Sequence, residues 1–551
     1  MLNEWLITLH NREDLESFYD DMETEGGDLF IPNRAVGLVH RREISRNTHY
    51  MLDHDEAMLI KQDSRVRGVE LVEMIVQSTR PAGYTITEKF SKDWFTDADD
   101  VNWGILRHSE AANRSNWGAN GDSNVTDTLT VTASGKNVDV VIVDGHINPA
   151  HPEFAVNSDG SGGSRVNQFN WYSLNSALGY GANGTYTYDR SGSYVDSADA
   201  ADNNHGCHCG GTVAGNTQGW AREANVYNIS PYSTNPANLN TSRMWDYIRQ
   251  WHNTKPINPE TGRRNPTITN NSYGSSATIG TEGFGFITQI TYRGVSSNTY
   301  GQALTQAELQ ARGCYAPSSN LEMSIPLWGE GRNADMEDAI EDGIIIVCSA
   351  GNDSWKTTAS GDQDYNNQYT VSFNSNEFTL YLHRGTSSGA GYAPNINVGA
   401  QSNDVNEDKA NFSNCGTQVD IYAAGEGIQS SLHSGGTADP RNGAYQLGKY
   451  QGTSMAGPQV AGVLAILAES WPNMKQAEAQ SWLINNSKKD IMADTGTDDP
   501  MDVNSLQGAP NRMLRWKNQR TTTGNSFPQR NRRVRPTSGP VYPRQLIQRR
   551  G

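Results

Sequence analysis

The hydrophobic positions of the chain form short runs separated by turn-forming residues. Between about residue 103 and residue 500 these runs are rich in β-branched residues and far shorter than a membrane-spanning helix requires. The predicted strands are Val138–Val143, Val226–Ile229, Thr267–Asn270, Ile344–Val347, Ile396–Val398 and Val419–Ala423. The predicted helices include Met244–His252, Asp335–Asp342 and Ser454–Ser470. Because apolar strands that alternate with helices are typical of a parallel sheet covered on both faces, the pattern predicts a large α/β domain.

The first 75 residues show a different pattern, with alternating strands and two amphipathic helices in the order βαββαβ. That order predicts a small α+β unit of the ferredoxin-like type. Its predicted strands and helices are Trp5–His10, Glu13–Glu25, 35–40, 45–52, His54–Gln62 and Val66–Val72. Residues 76–102 are polar, contain Pro81, Gly83 and several Asp, and are predicted to be a linker. Residues 509–551 are rich in Arg, Pro and Thr and are predicted to be a disordered basic tail.

Composition and charge narrow the functional classes. The chain has 551 residues, 35% of them hydrophobic, which is enough for a large core with additions. Its mean hydropathy of -0.67 predicts a soluble protein without a membrane span. The net charge is -17, and the tail from Pro510 carries 11 Lys and Arg, so the rest of the chain holds about -28 (-17 minus 11). An acidic body argues against a general nucleic-acid binder, while the tail is either a solvated segment or a contact for an anionic partner.

The N-terminus and the cysteines bear on the compartment. The start of the chain lacks a basic segment, a long apolar stretch and a small-residue cleavage site, so we see no secretory signal. The five cysteines are odd in number and show no zinc-site spacing. Free thiols in a reducing compartment are favoured, with one disulfide left open. We expect an intracellular or virion-associated protein.

Three motifs place reactive side chains where a strand or loop meets a turn or helix. An apolar strand ends in Asp144, a position that also suits a simple turn residue. His205 stands at a predicted helix start, and no third ligand follows His205 and His208 at a metalloprotease spacing. Ser454 begins a helix that is apolar on nearly every face. There it is either an N-cap or a nucleophile beside amide groups that favour a developing anion.

Considered together, the three motifs predict one site. A serine hydroxyl is a weak nucleophile and needs a base, which in turn needs a carboxylate to orient it. The chain order is Asp144, His205, Ser454, which is the order found in subtilisin. The segments 144–146, 205–208 and 452–458 resemble the three signatures of the subtilase family. The family usually has Thr or Ser after the aspartate where this chain has Gly145, whereas the stretch from Cys209 to Asn216 is similar to the proteinase K branch.

This resemblance implies a fold, an activity and further site residues. It implies a subtilisin-like three-layer α/β domain at 103–508 and a serine endopeptidase that acts on extended polypeptides. Asn352 would donate to the oxyanion together with the Ser454 amide. Ser272, Tyr273 and Gly274 would bind the substrate backbone as an added strand. Ser349, Ala350 and Gly351 belong to the oxyanion segment and complete the substrate-binding set.

The resemblance also gives the N-terminal unit a role. Residues 1–75 resemble a prodomain that assists folding and then inhibits the site, with processing between about 73 and 102. A permanent accessory domain is the alternative. No cofactor is required for the chemistry, and structural calcium is allowed by family analogy. The loops Asn157–Ser164 and Asp404–Asp408 are candidate calcium loops that also fit ordinary turns.

The chain departs from the family core by three insertions, near 155–200, 275–331 and 355–392. The second is rich in aromatic residues and leaves the substrate-edge segment, so it either shapes specificity or forms a surface lobe with its own core. Two rival functions remain open: a catalytically silent binding protein on the same fold, and a virion-associated processing protease.

Overall fold

A computed structural model describes residues 3–31, 37–40, 46–71, 83–110, 117–118, 124–186, 204–230, 243–279, 286–298, 305–315, 323–373, 376–386 and 394–517. In chain order, the strands are β1 (Asn3–Leu9), β2 (Gly37–His40), β3 (Asn47–Leu52), β4 (Val66–Leu71), β5 (Tyr84–Ser91), β6 (Asp100–Asn102), β7 (Asn124–Val131), β8 (Asp139–Val143), β9 (Asn225–Ile229), β10 (Thr267–Asn271), β11 (Ser276–Ile279), β12 (Phe286–Tyr292), β13 (Val295–Asn298), β14 (Met323–Pro326), β15 (Ile345–Ser349), β16 (Gln368–Phe373), β17 (Asn376–Tyr381), β18 (Ile396–Gln401), β19 (Ile421–Ala424), β20 (Ile428–Leu432), β21 (Thr437–Asp439), β22 (Asn442–Tyr450), β23 (Lys488–Lys489) and β24 (Arg512–Met513). The α-helices are α1 (Leu15–Glu23), α2 (His54–Ile60), α3 (Trp103–Ser109), α4 (Asn175–Leu178), α5 (His205–Ala214), α6 (Met244–Thr254), α7 (Gln306–Gln310), α8 (Glu330–Glu341), α9 (Thr453–Ser470) and α10 (Gln476–Asn486).

The central sheet positions the candidate site. Its strand order is β23-β24-β19-β18-β15-β10-β8-β9, and the strands from β19 to β9 run parallel. The carboxyl ends of parallel strands meet at one edge of a sheet, the usual place for a site in an open α/β sheet. Asp144 follows β8, Ser272 follows β10 and Asn352 lies three residues beyond β15, so this edge gathers all three.

Helices cover both faces of this sheet, because its strands are apolar on both sides. Along β8, Val140 and Ile142 join a core shared with α5, α9 and α10. Val141 and Val143 point to the opposite face and pack in the core that contains α6 and α8. The α/β prediction is confirmed, and the described part of the body has three layers.

The N-terminal unit has the predicted order of strands and helices. Its sheet order is β2-β3-β1-β4 with antiparallel neighbours. Side chains from α1 and α2, including Phe18 and Ile60, pack against Ile7 in a separate small core. Helix α2 begins at His54 because the Asp53 side chain accepts from the Glu56 amide and the Glu56 side chain accepts from the Asp53 amide.

Two predicted boundaries are corrected by the structure. Within the predicted linker, β5 pairs antiparallel with β7 from Tyr84 to Ser91 and buries Ile86 and Phe90. The linker prediction is therefore wrong for this stretch, while residues 76–82 lie outside the described residues. At the other end β24 pairs with β19, and Leu514 and Trp516 are buried. The folded body thus extends past 508 to Lys517, and the rest of the predicted tail lies outside the described residues.

The second and third insertions form one substructure. Strands β12 and β13 of the second insertion pair with β16 and β17 of the third, with Ile287 opposite Val371. Their side chains share a separate core that includes Ile290, Trp355 and Tyr369. The second insertion therefore fits the alternative of a surface lobe with its own core, to which the third insertion also contributes. Residues 187–200, 280–285, 299–304, 316–322, 374–375 and 387–392 of the insertions lie outside the described ranges.

Among the helices described, none combines the length and apolar character needed to cross a membrane.

Candidate functional site

Asp144 and His205 meet directly at the sheet edge. The Nδ1 atom of His205 lies 2.8 Å from Oδ1 of Asp144, which also accepts from the Gly145 amide at 2.7 Å. A carboxylate only accepts, so Nδ1 carries the hydrogen, and in the neutral imidazole Nε2 keeps a free lone pair. Asp144 is 4% exposed and His205 is 20% exposed, so the carboxylate is buried while the imidazole reaches the surface.

The two groups are electrostatically coupled. Burial opposes the charged form of His205, but the charge and hydrogen bond of the Asp144 carboxylate, together with Cys209, hold the pKa of the imidazole well above its ordinary value. The pair therefore favours an imidazolium that is stabilised by Asp144.

Small and polar residues let α5 approach this close. A Cβ on Gly206 would lie 2.0 Å from the Gly145 carbonyl oxygen, so only glycine permits this contact. The buried Asn228 of β9 donates to the carbonyls of Ile142 and Gly145, each at 3.0 Å, and accepts from the Ile147 amide. This network fixes the turn after Asp144.

Ser454 lies in the first turn of α9 and is 7% exposed. Its hydroxyl donates to the Ser272 carbonyl at 3.4 Å, and its own carbonyl accepts from the Ser272 hydroxyl at 3.1 Å and from the Cys209 thiol at 3.3 Å. The Cys209 sulfur also lies 3.8 Å from His205 Nδ1. Cys209 and Ser272 therefore link the serine to the helix that bears the histidine and to the end of β10.

Asn352 is held beside the same helix start. Its Oδ1 accepts from the Thr453 amide at 2.8 Å and from the Thr453 hydroxyl at 2.9 Å. Because the backbone amide only donates, this oxygen is assigned and the Nδ2 hydrogens remain as donors. The side chain of Asn352 is exposed, so these donors face the open side of the site.

The predicted substrate-binding segments border the site, but their side chains differ in direction. Tyr273 is buried in the core around α6, so its side chain does not face the cleft. Gly274 is exposed. In the other segment Ser349 ends β15, the Ala350 carbonyl accepts from Asn414 at 2.9 Å, and the Gly351 amide donates to Thr453 at 3.1 Å.

One group of described residues could hold a metal ion by geometry. Ligand atoms of Asp144, His205 and Cys209 lie within 4.8 Å of one another, and no second such group of His, Cys, Asp and Glu occurs in the described part of the chain. An ion bound to all three would displace the proton that His205 shares with Asp144. In the two candidate calcium loops, Asp159 and Asp404 accept from amides of their own turns at 2.9 Å and 2.8 Å.

The sequence did not predict that Asn228 would hold the turn after Asp144 or that Thr453 would anchor Asn352. It also did not predict the contact of Cys209 with the Ser454 carbonyl. Asn228 could have been noticed as an amide side chain inside a buried strand. Thr453 lies inside the serine motif but carries no chemical signal of its own. All five cysteines are buried and free, so the structure contains no disulfide between them.

Comparison with known proteins gives matches over part of the chain. A model of the subtilase family matches residues 135–509. The chain is 31% identical over 151 residues to an extracellular protease of Xanthomonas campestris pv. campestris, which is 27% of this chain and 20% of that protein. It is 29% identical over 164 residues to subtilisin of Bacillus pumilus, which is 30% of this chain and 46% of that protein. The chain thus matches less than half the length of these relatives. A solved structure described as a cold adapted subtilisin-like serine proteinase aligns with 16% identity and a TM-score of 0.43, over 75% of this chain and 98% of that one.

Proposed function

Because the chain belongs to the subtilase family, we propose that it is a serine endopeptidase that cleaves peptide bonds through Asp144, His205 and Ser454. The observation that carries this proposal is the Asp144–His205 hydrogen bond of 2.8 Å at the sheet edge where Ser454 lies in the first turn of α9. A hydroxyl nucleophile requires such an oriented base.

The chemistry proceeds by acyl transfer. The Ser454 hydroxyl hydrogen turns from the Ser272 carbonyl to Nε2 of His205 as Oγ attacks the scissile carbonyl. Asp144 holds the imidazole in the required tautomer and stabilises the imidazolium. His205 then protonates the leaving amine, and water attacks the acyl-enzyme with His205 again as base.

Two donors support the developing oxyanion. Asn352 Nδ2 and the Ser454 amide stabilise the negative oxygen of the tetrahedral intermediate. Gly274 is exposed just beyond β10, so the segment from Ser272 to Gly274 binds the backbone of an extended polypeptide by added-strand pairing. The segment from Ser349 to Gly351 is buried, and its Ala350 carbonyl and Gly351 amide are already bonded to Asn414 and Thr453, so it supports the site from behind. This chemistry requires no cofactor, and structural calcium remains part of the family expectation.

The N-terminal unit acts as a prodomain in this proposal. Its βαββαβ order and the sheet order β2-β3-β1-β4 support a small ferredoxin-like unit with its own core. The chain removes this unit by its own activity between about residue 73 and residue 83, because the strand β5 begins at Tyr84 and packs in the core of the body.

An active-site probe tests the assignment. The purified chain and its Ser454→Ala form are treated with a serine-directed fluorophosphonate and analysed by mass spectrometry. We expect labelling at Ser454, hydrolysis of an unstructured protein substrate and loss of the N-terminal unit in the native chain alone. Ser470→Ala is the matched control, because Ser470 lies exposed at the far end of the same helix.

The outcomes separate the rival functions. A chain that neither labels nor cleaves would be a silent binding protein on the subtilase fold. A Ser454→Ala chain that matures when purified alone would show that another group does the chemistry.

A further inference from the structure

The carbonyl of Ser454 lies at an unusual position in its helix. In a regular α-helix it would accept from the amide four residues later, which is residue 458. That residue is Pro458, inside α9, and proline has no amide hydrogen. The carbonyl therefore lacks its standard backbone donor within a buried part of the helix.

Two side chains donate to this carbonyl. The Ser272 hydroxyl lies 3.1 Å from it and is itself oriented by Asn270 Nδ2, which donates to that hydroxyl at 3.0 Å. The Cys209 thiol lies 3.3 Å from it. Burial raises the pKa of Cys209 to about 11, so the thiol keeps its hydrogen near neutral pH. Because the His205 Nδ1 hydrogen points to Asp144, the thiol hydrogen is directed to the Ser454 carbonyl.

We propose that Cys209 and Ser272 are positioning residues that act through the Ser454 carbonyl. This carbonyl is able to accept from them because Pro458 has no amide hydrogen to donate. The carbonyl then joins the helix of His205, the end of β10 and the helix of Ser454. This inference rests on the proposed catalytic role of Ser454. Cys209 is one helical turn after His205, so the contact fixes the separation of base and nucleophile.

Removing the thiol tests this role in the full chain. A displacement of about 1 Å in a catalytic group can cost about 100-fold in rate. We expect Cys209→Ala to lower kcat about tenfold with KM unchanged, and Cys209→Ser to restore much of the loss because a hydroxyl also donates. Cys415→Ala is the matched control. It removes another buried thiol, which donates to the Trp355 carbonyl at 3.8 Å, and it should leave kcat unchanged.

A double-mutant cycle with Pro458 identifies the carbonyl as the point of action. Pro458→Ala supplies the missing amide, so Cys209→Ala in that background should cost less than about threefold. The rate of fluorophosphonate labelling at Ser454 gives a second measure that does not depend on substrate binding. An equal cost of Cys209→Ala in both backgrounds would overturn the inference.

The catalytic role of Ser454 and the positioning role of Cys209 can be tested separately. An active native chain labelled at Ser454, with kcat unchanged by Cys209→Ala, would overturn the positioning role alone. If Pro458 variants do not fold, the kcat values of Cys209→Ala, Cys209→Ser and Cys415→Ala still decide whether Cys209 has a positioning role. A native chain without labelling at Ser454 would overturn the proposed function and this inference with it.

Discussion

Asp144 sets the charge state of His205, and this coupling determines how the rate should depend on pH. The pKa of His205 is held well above its ordinary value although burial opposes the charged form. Because His205 acts as a base only when neutral, kcat/KM should rise with pH as the imidazole loses its proton. Asp144→Asn removes the opposing charge and should move this rise to lower pH. It should also lower kcat about 10⁴-fold, because the amide favours the wrong tautomer.

The measurement is kcat/KM for a chromogenic peptide as a function of pH. Asp159→Asn removes the same charge from an exposed loop and should leave the profile unchanged. A rising limb that does not move in Asp144→Asn would show that another group titrates.

Asn352 offers a second prediction for a single residue. Thr453 anchors its oxygen, so the amide hydrogens are the groups that face the reaction. Asn352→Ala should lower kcat by roughly 10²–10³ and change KM little, because the lost donor acts on the transition state. Asn352→Asp should lose as much, since it keeps the anchored oxygen but has no amide hydrogens. Thermal unfolding of Asn352→Asp should not change, because this variant keeps the oxygen that accepts from Thr453. A kcat within a factor of a few of the native value would assign the oxyanion to other donors.

The approach of α5 to the end of β8 decides whether the base and its carboxylate meet. Gly206→Ala would place a Cβ 2.0 Å from the Gly145 carbonyl oxygen, which belongs to the backbone and cannot rotate away. Such overpacking costs about 1–3 kcal/mol, and relief of it would move His205 away from Asp144. We expect a lower free energy of unfolding in the Ser454→Ala background and a large loss of kcat in the active enzyme.

The control for this prediction is a helical glycine with free space. Gly331 lies exposed in α8, and a Cβ there meets no atom within 4 Å. Gly331→Ala should be neutral or stabilise the chain by up to about 1 kcal/mol. Equal effects of the two substitutions would mean that the contact with Gly145 does not position the helix.

The elements of the central sheet could be predicted because buried parallel strands have a simple signal. The run Val138–Val143 became β8 with one residue removed, and Ile344–Val347 became β15 shifted toward Ser349. The strand β5 was predicted as part of a linker because Pro81, Gly83 and nearby Asp residues are typical of turns. The apolar residues that it buries, Ile86 and Phe90, are too few to give a strong strand pattern. The pairing of β12 with β16 could not be read locally, since it joins residues about 80 positions apart.

The candidate site was predictable where a motif names a chemical group, and less so where the fold supplies the contact. Asp144 and His205 lie within hydrogen-bond distance of each other, while the Ser454 hydroxyl donates to the Ser272 carbonyl. The role of Cys209 toward the Ser454 carbonyl depends on the packing of α5 against α9, which no local pattern encodes. Tyr273 shows the same limit, because its motif predicted a place at the cleft but not that its side chain enters the core.

Across the whole molecule, buried neutral histidines should limit stability in acid. Burial lowers the pKa of His108 and His208 to about 3 and of His252 and His383 to about 4. An unfolded chain binds these protons below about pH 6.5, while the folded chain does not, so the free energy of unfolding falls as the pH drops. Asp420 acts in the opposite sense, because burial raises its pKa to about 6. His205 adds no slope below pH 6.5, because its raised pKa keeps it charged in both states there.

His208 gives the sharpest test of this effect. Its Nε2 donates to the Ile428 carbonyl at 2.8 Å and its ring stacks on Tyr450 at 4.8 Å. The ring is fully buried, and burial opposes its charged form more strongly than the Ile428 and Gly448 carbonyls favour it. Urea unfolding of the Ser454→Ala chain at several pH values should show a slope that His208→Gln reduces by up to about 1.4 kcal/mol per pH unit between about pH 6 and pH 4. His10→Gln, which removes an exposed histidine, should leave the slope unchanged, and an equal slope in the His208 variant would show that the folded chain accepts that proton without cost.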